Sequence, residues 1–238
     1  MQREIVRSRP VYLRLLRQTA RRLPVPRGAV RVSRNALMWC AGRPDYSRWS
    51  SSQGLEAWWD ERTKMLAGLV SPGTRVIEFG AGRRQLETFL PPDCSYIPSD
   101  LVDRGPGTLV CDLNHRPLPS LSTLAPEVAV FGGVLEYIRD VPALATWLGE
   151  TGVRTCVVSF DPVPARLGRI ARYRELTRRT YFGYMNALTE EELIQSFVTA
   201  GYGLAEKTSW TTQVLIRFEK TDRSERRSLG SGIQELLR

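Results

Sequence analysis

From residue 74 onward, short apolar runs alternate with stretches that have helical spacing. The apolar runs are RVIEF, SYIPSD, GTLVCD, EVAVFGG and TCVVSFD, and helical patterns intervene at 85–90 and 141–148. This alternation is typical of strand–helix–strand units. The pattern therefore predicts an α/β fold with a parallel sheet and helices on both of its faces.

The last third of the chain predicts a different ending to this sheet. Thr189 and Glu192 have the spacing of a capping box at the start of a helix, and Gly201 ends that helix. Two closely spaced strands follow, near GLAEKTS and TTQVLIRFEK, and so short a connection makes them antiparallel. Residues 221–238 are polar and predict a frayed tail.

Two further helices are predicted before the sheet. The segment VYLRLLRQTARRLP places leucines on one helical face and arginines on the other, and LPVPRG then predicts a linker. Such a basic amphipathic helix either docks on the domain or lies on a membrane surface. A second helix is predicted within 46–70, with an apolar face of Leu55, Trp58, Trp59, Met65, Leu66 and Leu69. We therefore divide the chain into a basic helical extension, 1–45, and a main domain, 46–220.

Composition limits the class of protein. The 238 residues are 42% hydrophobic and 25% charged, which is usual for a globular protein in water, and no apolar run is long enough to span a membrane. The four cysteines form no CxxC pair, so we expect reduced thiols in a cytoplasmic protein, without a disulfide framework or a metal site.

The net charge of +9 is concentrated in two places. Residues 1–44 carry eleven arginines and one acid, and residues 165–180 carry six arginines and one acid, so the remainder of the chain is acidic. Basic patches favour anionic partners such as phosphates, nucleic acid or an anionic membrane face. Arginine-rich helices can also simply solvate their outer faces.

The stretch VIEFGAGRRQLETFL predicts a strand, a glycine turn and a helix that bind a ligand. Gly80 and Gly82 allow a tight turn, and Asp100 follows at a spacing that suits a carboxylate on ribose hydroxyls. A dinucleotide fingerprint needs a further glycine where this chain has Gln85. Glu78 would repel a pyrophosphate but suits a ligand with an ammonium and a sulfonium group. The loop thus favours S-adenosylmethionine over NAD.

With these motifs, the chain resembles the class I S-adenosylmethionine-dependent methyltransferases, in particular their small-molecule, type 11-like branch. The resemblance covers about 53–220 and rests on EFGAG, YIPSDLV, CDLNHRPLP, GVLEYIRDV and NALTEEELIQSFVTAGY, in that order. It implies a Rossmann-like, doubly wound sheet of seven strands, mostly parallel with an antiparallel last strand.

The resemblance also implies site residues. It places Glu78, Gly80 and Gly82 around the methionine part of S-adenosylmethionine, Asp100 on the ribose, Asp112 and Leu113 at the adenine, and Phe131 with Gly132 and Gly133 on the side towards the substrate. Two departures stand out: Arg84 replaces a glycine that many relatives have, and Tyr137 replaces a histidine.

Transfer of a methyl group to a hydroxyl requires removal of a proton, so a general base is expected. Asp161, at the carboxyl end of a predicted strand, and His115 are the candidates. Asp161 can equally form a turn before Pro162, and His115 can be a polar loop residue. Glu136 and Tyr137 are candidate substrate contacts, although Glu136 also suits the start of a helix on charge grounds alone.

Segment 165–188 lies where relatives build a substrate cover. It mixes arginines with aromatic residues, and Tyr181 and Tyr184 are its candidate acceptor contacts. Aromatic faces suit sugar rings or bases and arginines suit phosphates, while an amphipathic helix packed on the body is the alternative. FGGV stands where an NPPY-type motif would indicate methylation of an amino group on a nucleic-acid base.

We therefore expect an S-adenosylmethionine-dependent methyltransferase whose acceptor is a small molecule, neutral or anionic, such as a sugar or glycolipid precursor, with O-methylation favoured. Two alternatives remain open. One is an RNA methyltransferase that uses the arginine patches. The other is a non-catalytic protein of the same fold that docks on a partner or attaches peripherally to a membrane through residues 1–24.

Overall fold

A computed structural model describes residues 27–40, 49–51 and 57–221. The predicted basic helix before residue 24, part of the predicted helix within 46–70 and the polar tail after residue 221 lie outside the described residues. No helix in the described ranges is long and apolar enough to cross a membrane.

Seven strands form one sheet in the order β3-β2-β1-β4-β5-β7-β6. They are β1 Arg75–Phe79, β2 Ser95–Asp100, β3 Leu109–Val110, β4 Val128–Gly132, β5 Thr155–Phe160, β6 Tyr202–Trp210 and β7 Gln213–Lys220. Strands β1 to β5 pair in parallel, and β7 runs antiparallel to both of its neighbours. The predicted α/β architecture with an antiparallel last strand is confirmed.

Six α-helices accompany the sheet within the described residues. They are α1 Arg27–Cys40, α2 Asp60–Gly68, α3 Gln85–Phe89, α4 Val141–Glu150, α5 Arg169–Phe182 and α6 Glu190–Thr199, and short 3-10 turns cover Ala57–Trp59 and Leu135–Tyr137. The capping box at Thr189 and Glu192 is present, with both of its hydrogen bonds formed.

Three elements differ from the prediction. Helix α1 begins at the end of the predicted linker LPVPRG and continues to Cys40, where we predicted no helix. Within residues 57–70, the α-helical part of the predicted 46–70 helix is Asp60–Gly68. The apolar run GTLVCD, at one edge of the sheet, pairs with β2 only through Leu109–Val110.

The sheet separates two apolar cores. One core packs α4 and α6 against one face, and in it Phe197 stacks on Phe218 with ring centroids 4.3 Å apart. The other core packs α2, through Leu66, against Val76 and Val130. Burial on both faces explains why the central strands read as continuous apolar runs.

Helix α1 packs against α5, and together they form a cap at the carboxyl ends of the strands. The Asn35 side-chain amide donates to the backbone carbonyls of Thr180 and Tyr181, both at 3.0 Å, and the Trp39 indole donates to the carbonyl of Met185 at 3.1 Å. These bonds hold α1 to the last turn of α5 and to the loop that follows.

Candidate functional site

A cavity of about 360 Å³ opens at the carboxyl ends of β1, β2, β4 and β5. In open α/β sheets this edge is where ligands bind. The 3-10 turn after β4 and the cap close the cavity from above. Its walls join residues from the glycine loop, from α2, from the hairpin between β6 and β7, and from α5.

The glycine loop after β1 has the geometry that its glycines permit. Gly80 has φ +75°, and a Cβ built there would lie 2.4 Å from Cγ2 of Val134, so a side chain is excluded. Arg84, which replaces a glycine of the family pattern, adopts the same left-handed region, with φ 59°. Its guanidinium bonds to Glu87 and to the carbonyl of Pro106, so its side chain lies away from the loop.

Asp100 ends β2 next to this loop and is 6% exposed. The backbone N–H of Gly82 donates to its Oδ2 at 2.8 Å, and the N–H of Leu101 donates to Oδ1 at 2.7 Å. Arg104 forms an ion pair with Oδ2 at 3.1 Å and also donates to the carbonyls of Trp49 and Ser50. The carboxylate is thus held in a fixed orientation at the cavity wall.

Glu78 lies at the end of β1 and is also 6% exposed. The Tyr96 hydroxyl donates to its Oε2 at 2.5 Å. Burial raises the pKa of Glu78 to about 8, although the bond from Tyr96 acts in the opposite direction. A cation bound in the cavity would favour the carboxylate form, and this side chain is therefore poised to ionise when such a ligand enters.

Arg62, on α2, is the main site residue that sequence reasoning missed. It is 7% exposed and lines the cavity; its Nη2 donates to the carbonyl of Gly132 at 3.1 Å and its Nη1 to Gln213 Oε1 at 3.2 Å. Burial lowers its pKa, and Nε has no hydrogen-bond partner within the described residues. A signal was available, since Arg62 shares a helical face with Leu66 and Leu69.

At the β4 and β5 end, Glu136 is 1% exposed. Its Oε1 accepts from the backbone N–H of Asp161 at 2.9 Å, and its Oε2 has no partner among the described residues. Burial raises the pKa of Glu136 to about 7. The neighbouring Tyr137 ring lies edge-on to the rings of Trp49 and Tyr184, with centroids 4.7 and 5.3 Å away.

Asp161 follows β5 and is tied to the cap. Arg178 of α5 donates to its Oδ2 at 2.9 Å, and the hydroxyl of Tyr184 donates to the same oxygen at 3.3 Å. Arg178 is itself paired with Glu175 at 2.7 Å. The cap therefore contributes a positive charge and aromatic rings directly to the cavity.

Twelve of the residues predicted for the site line this cavity. They are Glu78, Gly80, Gly82, Asp100, Asp112, Leu113, Gly132, Gly133, Glu136, Tyr137, Asp161 and Tyr184. The role of each remains a prediction, but the sequence placed them in one site.

Three predicted residues lie elsewhere. Phe131 is fully buried and stacks on Phe79, because its side chain points into the core while the glycines that follow it reach the cavity. His115 is exposed on its loop, and Tyr181 lies under Arg31 of α1, with the guanidinium 4.4 Å from the ring centroid. Neither His115 nor Tyr181 belongs to the cavity wall.

Four tryptophans also line the cavity: Trp49, Trp58, Trp59 and Trp210. Trp58 stacks on Trp210 with centroids 5.0 Å apart, and the Trp210 indole donates to Glu61 at 3.0 Å. Three of them lie close together in the chain, whereas Trp210 comes from the hairpin between β6 and β7. The sequence pattern therefore did not bring Trp210 to the other three as one aromatic wall.

Comparison with solved structures identifies the fold. The chain is similar to a protein of Nostoc punctiforme assigned as an O-methyltransferase, with TM-score 0.58 and 13% identity over 80% of this chain and 69% of that one. It is similar to an O-methyltransferase of neocarzinostatin biosynthesis, solved with S-adenosylmethionine and 2-hydroxy-5-methyl naphthoic acid, with TM-score 0.54 and 16% identity over 82% and 69%.

A third similar structure is human N-acetylserotonin methyltransferase in complex with S-adenosylmethionine, with TM-score 0.54 and 12% identity; the match covers 74% of this chain and 56% of the human one. No protein-family model matches the sequence, and no curated protein matches it. The chain has the fold of the class I S-adenosylmethionine-dependent methyltransferases, as the resemblance implied.

Proposed function

We propose that the protein is a methyltransferase that uses S-adenosylmethionine to methylate a hydroxyl group of a small molecule. The observation that carries the proposal is the order of charged groups along the strand ends. Asp100 on β2, Glu78 on β1 and Arg62 against the end of β4 follow one another across adjacent strands. That order suits a ribose diol, an ammonium group and a carboxylate in a single elongated ligand.

The residues present fit this cofactor. Gly80 and Gly82 line the cavity, a Cβ at Gly80 would collide with Val134, and a Cβ at Gly133 would lie 2.5 Å from Nη1 of Arg62. The buried Nε of Arg62 has no partner within the described residues and can donate to a carboxylate. Structures of similar fold contain S-adenosylmethionine, which supports the same assignment here.

The bound cofactor would supply a methyl group already activated by the positive sulfur. The chain's own residues would orient the acceptor in line with that group and keep water out. Of the two candidate bases from the sequence, Asp161 lines the cavity and His115 does not. Asp161 would therefore be the general base that accepts the proton of the acceptor's hydroxyl. Arg178 and Tyr184 fix the orientation of its carboxylate.

The acceptor that we favour is a sugar or glycolipid precursor. Tyr137, Phe182 and Tyr184 offer aromatic faces at the β4 and β5 end, and such faces pack on sugar rings. Arg178 provides a cation for an anionic substituent, although it already pairs with Asp161 and Glu175. A cavity of about 360 Å³ suits a small molecule better than a polymer.

The test is turnover of methyl-labelled S-adenosylmethionine with a panel of sugar phosphates, glycolipid precursors, phenols and RNA. We expect stoichiometric S-adenosylhomocysteine and a methylated product with one small-molecule class. Asp161→Asn should lower kcat by about 100-fold or more, because it removes the proton acceptor. His115→Ala is the matched control and should leave kcat unchanged.

Absence of turnover with every acceptor would contradict the proposed methyltransferase activity. Turnover with RNA alone would show that the acceptor is RNA and not a small molecule. Equal kcat in Asp161→Asn and wild type would remove Asp161 from the mechanism.

A further inference from the structure

The first half of α5 lies fully on the surface and combines two kinds of side chain. Residues 168–174 are all exposed. Ile170 and Tyr173 are 74% and 73% exposed, and Leu176 follows one turn later at 44%. Single exposed apolar residues are common, but apolar residues in successive turns of an exposed helix mark an interaction surface.

The neighbouring helix α1 carries exposed apolar residues of its own, Val30 and Leu37. They lie away from Asn35, which faces α5, so they are not counted with the surface of α5. We call Ile170, Tyr173 and Leu176 the cap face, together with the arginines between them.

The charge of the cap face has one sign. Arginines 169, 172 and 174 surround Ile170 and Tyr173, and Arg31 and Arg34 lie on α1. Neither helix carries an acid except Glu175, which is paired with Arg178 and Arg179. The partner of this face is therefore anionic.

We propose that the cap face docks on an anionic lipid bilayer. The apolar side chains can enter the boundary between the lipid headgroups and the acyl chains, while the surrounding arginines contact the anionic headgroups. RNA would contact the arginines but would leave Ile170 and Leu176 exposed to water. A second copy of the face, or residues 1–26 with their seven arginines and one acid, would bring like charges together.

Docking in this way places the membrane on the outer side of the cap, whose inner side carries Arg178 and Tyr184 at the cavity. An acceptor with a lipid anchor would then reach the cavity without leaving the bilayer. The docking itself does not depend on the proposed methyl transfer, since its evidence is the outer surface alone.

Flotation of the full chain with vesicles tests the docking. We expect binding to phosphatidylglycerol vesicles that decreases with salt, and much weaker binding to phosphatidylcholine vesicles. Ile170→Ser/Tyr173→Ser should lower the partition coefficient by about tenfold or more, because two exposed apolar groups no longer enter the bilayer. Val110→Ser/Leu204→Ser changes two exposed apolar residues far from the cap and is its matched control.

The contribution of the cap-face arginines to vesicle binding is tested by the same flotation assay. Arg169→Gln/Arg172→Gln should weaken binding by about tenfold or more, since each arginine near an anionic surface contributes to attachment. Arg139→Gln/Arg154→Gln removes the same net charge from exposed positions elsewhere and should change little.

Absence of binding to phosphatidylglycerol vesicles would overturn the proposal. So would equal losses in the cap-face variants and their controls, or full binding by the cap-face variants, which would assign the attachment to residues outside the face. Tighter binding to RNA than to vesicles, unaffected by Ile170→Ser/Tyr173→Ser, would make nucleic acid the partner.

Discussion

At the scale of single residues, the cavity combines a carboxyl group and a guanidinium whose buried environments disfavour their charged forms. Glu78 has a pKa of about 8 and Arg62 a lowered pKa, in both cases chiefly because of burial. A ligand with one positive and one negative group would stabilise the charged forms of both side chains. The uptake of such a ligand is therefore coupled to the protonation state of Glu78.

We predict that S-adenosylmethionine binding releases a proton at pH 7 and strengthens as the pH rises towards 8. Below that value the free protein holds Glu78 protonated, and the cationic ligand selects the carboxylate. Above it the proton is already lost and the dependence should flatten. Titration calorimetry at pH 7 in two buffers with different ionisation enthalpies measures the release directly.

Glu78→Gln is the reference for this measurement, because the ligand's own amino group titrates in both proteins. The wild-type protein should release more protons than Glu78→Gln below pH 8. Equal release in the two proteins would show that Glu78 stays in one protonation state.

Part of the site could be predicted because its residues lie close together in the chain. Gly80, Gly82 and Asp100 belong to one strand–turn–helix–strand unit, so their spacing alone brings them together. Arg62 reaches the cavity from a helix before the sheet, and Gln213 from the final hairpin. Phe131 was assigned wrongly because strand β4 is buried on both faces, and an apolar run does not tell which residue turns towards a ligand.

At the scale of elements, the position of the cap depends on a small number of hydrogen bonds. The Asn35 amide donates to two carbonyls in the last turn of α5, those of Thr180 and Tyr181, and the Thr180 carbonyl also accepts from the N–H of Gly183 at 3.1 Å. Asn35 is 5% exposed, so water cannot easily replace it. The attachment of α1 should therefore be sensitive to this one side chain.

We predict that Asn35→Ala loosens α1 from α5 and increases the rate of tryptic cleavage within α1 by about tenfold, since both hydrogen bonds from Asn35 to α5 are lost. Arg31 and Arg34 provide the cleavage sites. Ser33→Ala, at an exposed position of the same helix, is the control and should cleave at the wild-type rate. If Asn35→Ala is cleaved no faster than Ser33→Ala, other contacts fix the cap.

Elements with strong periodicity were predicted well. The central strands and α4 were identified because they are buried on one or two faces, and α6 because its capping box is local. Helix α1 was missed because Asn35 and Trp39, which hold it in place, find their partners on α5 and in the following loop, far along the chain. The predicted length of the edge strand β3 was too great, because apolar residues alone do not show where backbone pairing ends.

At the scale of the whole molecule, the sheet organises one face of the protein for binding. The carboxyl ends of the parallel strands and the start of the antiparallel strand β7 meet at the same edge, and the cap covers them. Of the two basic patches in the sequence, the one at 165–180 lies largely on α5 and therefore on the cap. The fold could be predicted from the order of local patterns, whereas the aromatic wall depends on tertiary packing.

The central claim is that this edge binds S-adenosylmethionine through Asp100 and Arg62. Calorimetric titration of the full chain with S-adenosylmethionine and S-adenosylhomocysteine tests it most directly, with NAD as the negative control. Asp100→Asn and Arg62→Met, checked for folding by circular dichroism, should each lose at least about tenfold in affinity, because each removes a charge-assisted hydrogen bond. Binding of both ligands, absence of binding by NAD and these losses are the predicted result. A folded protein that binds neither ligand, or binds them equally well without Arg62 and Asp100, would contradict the account.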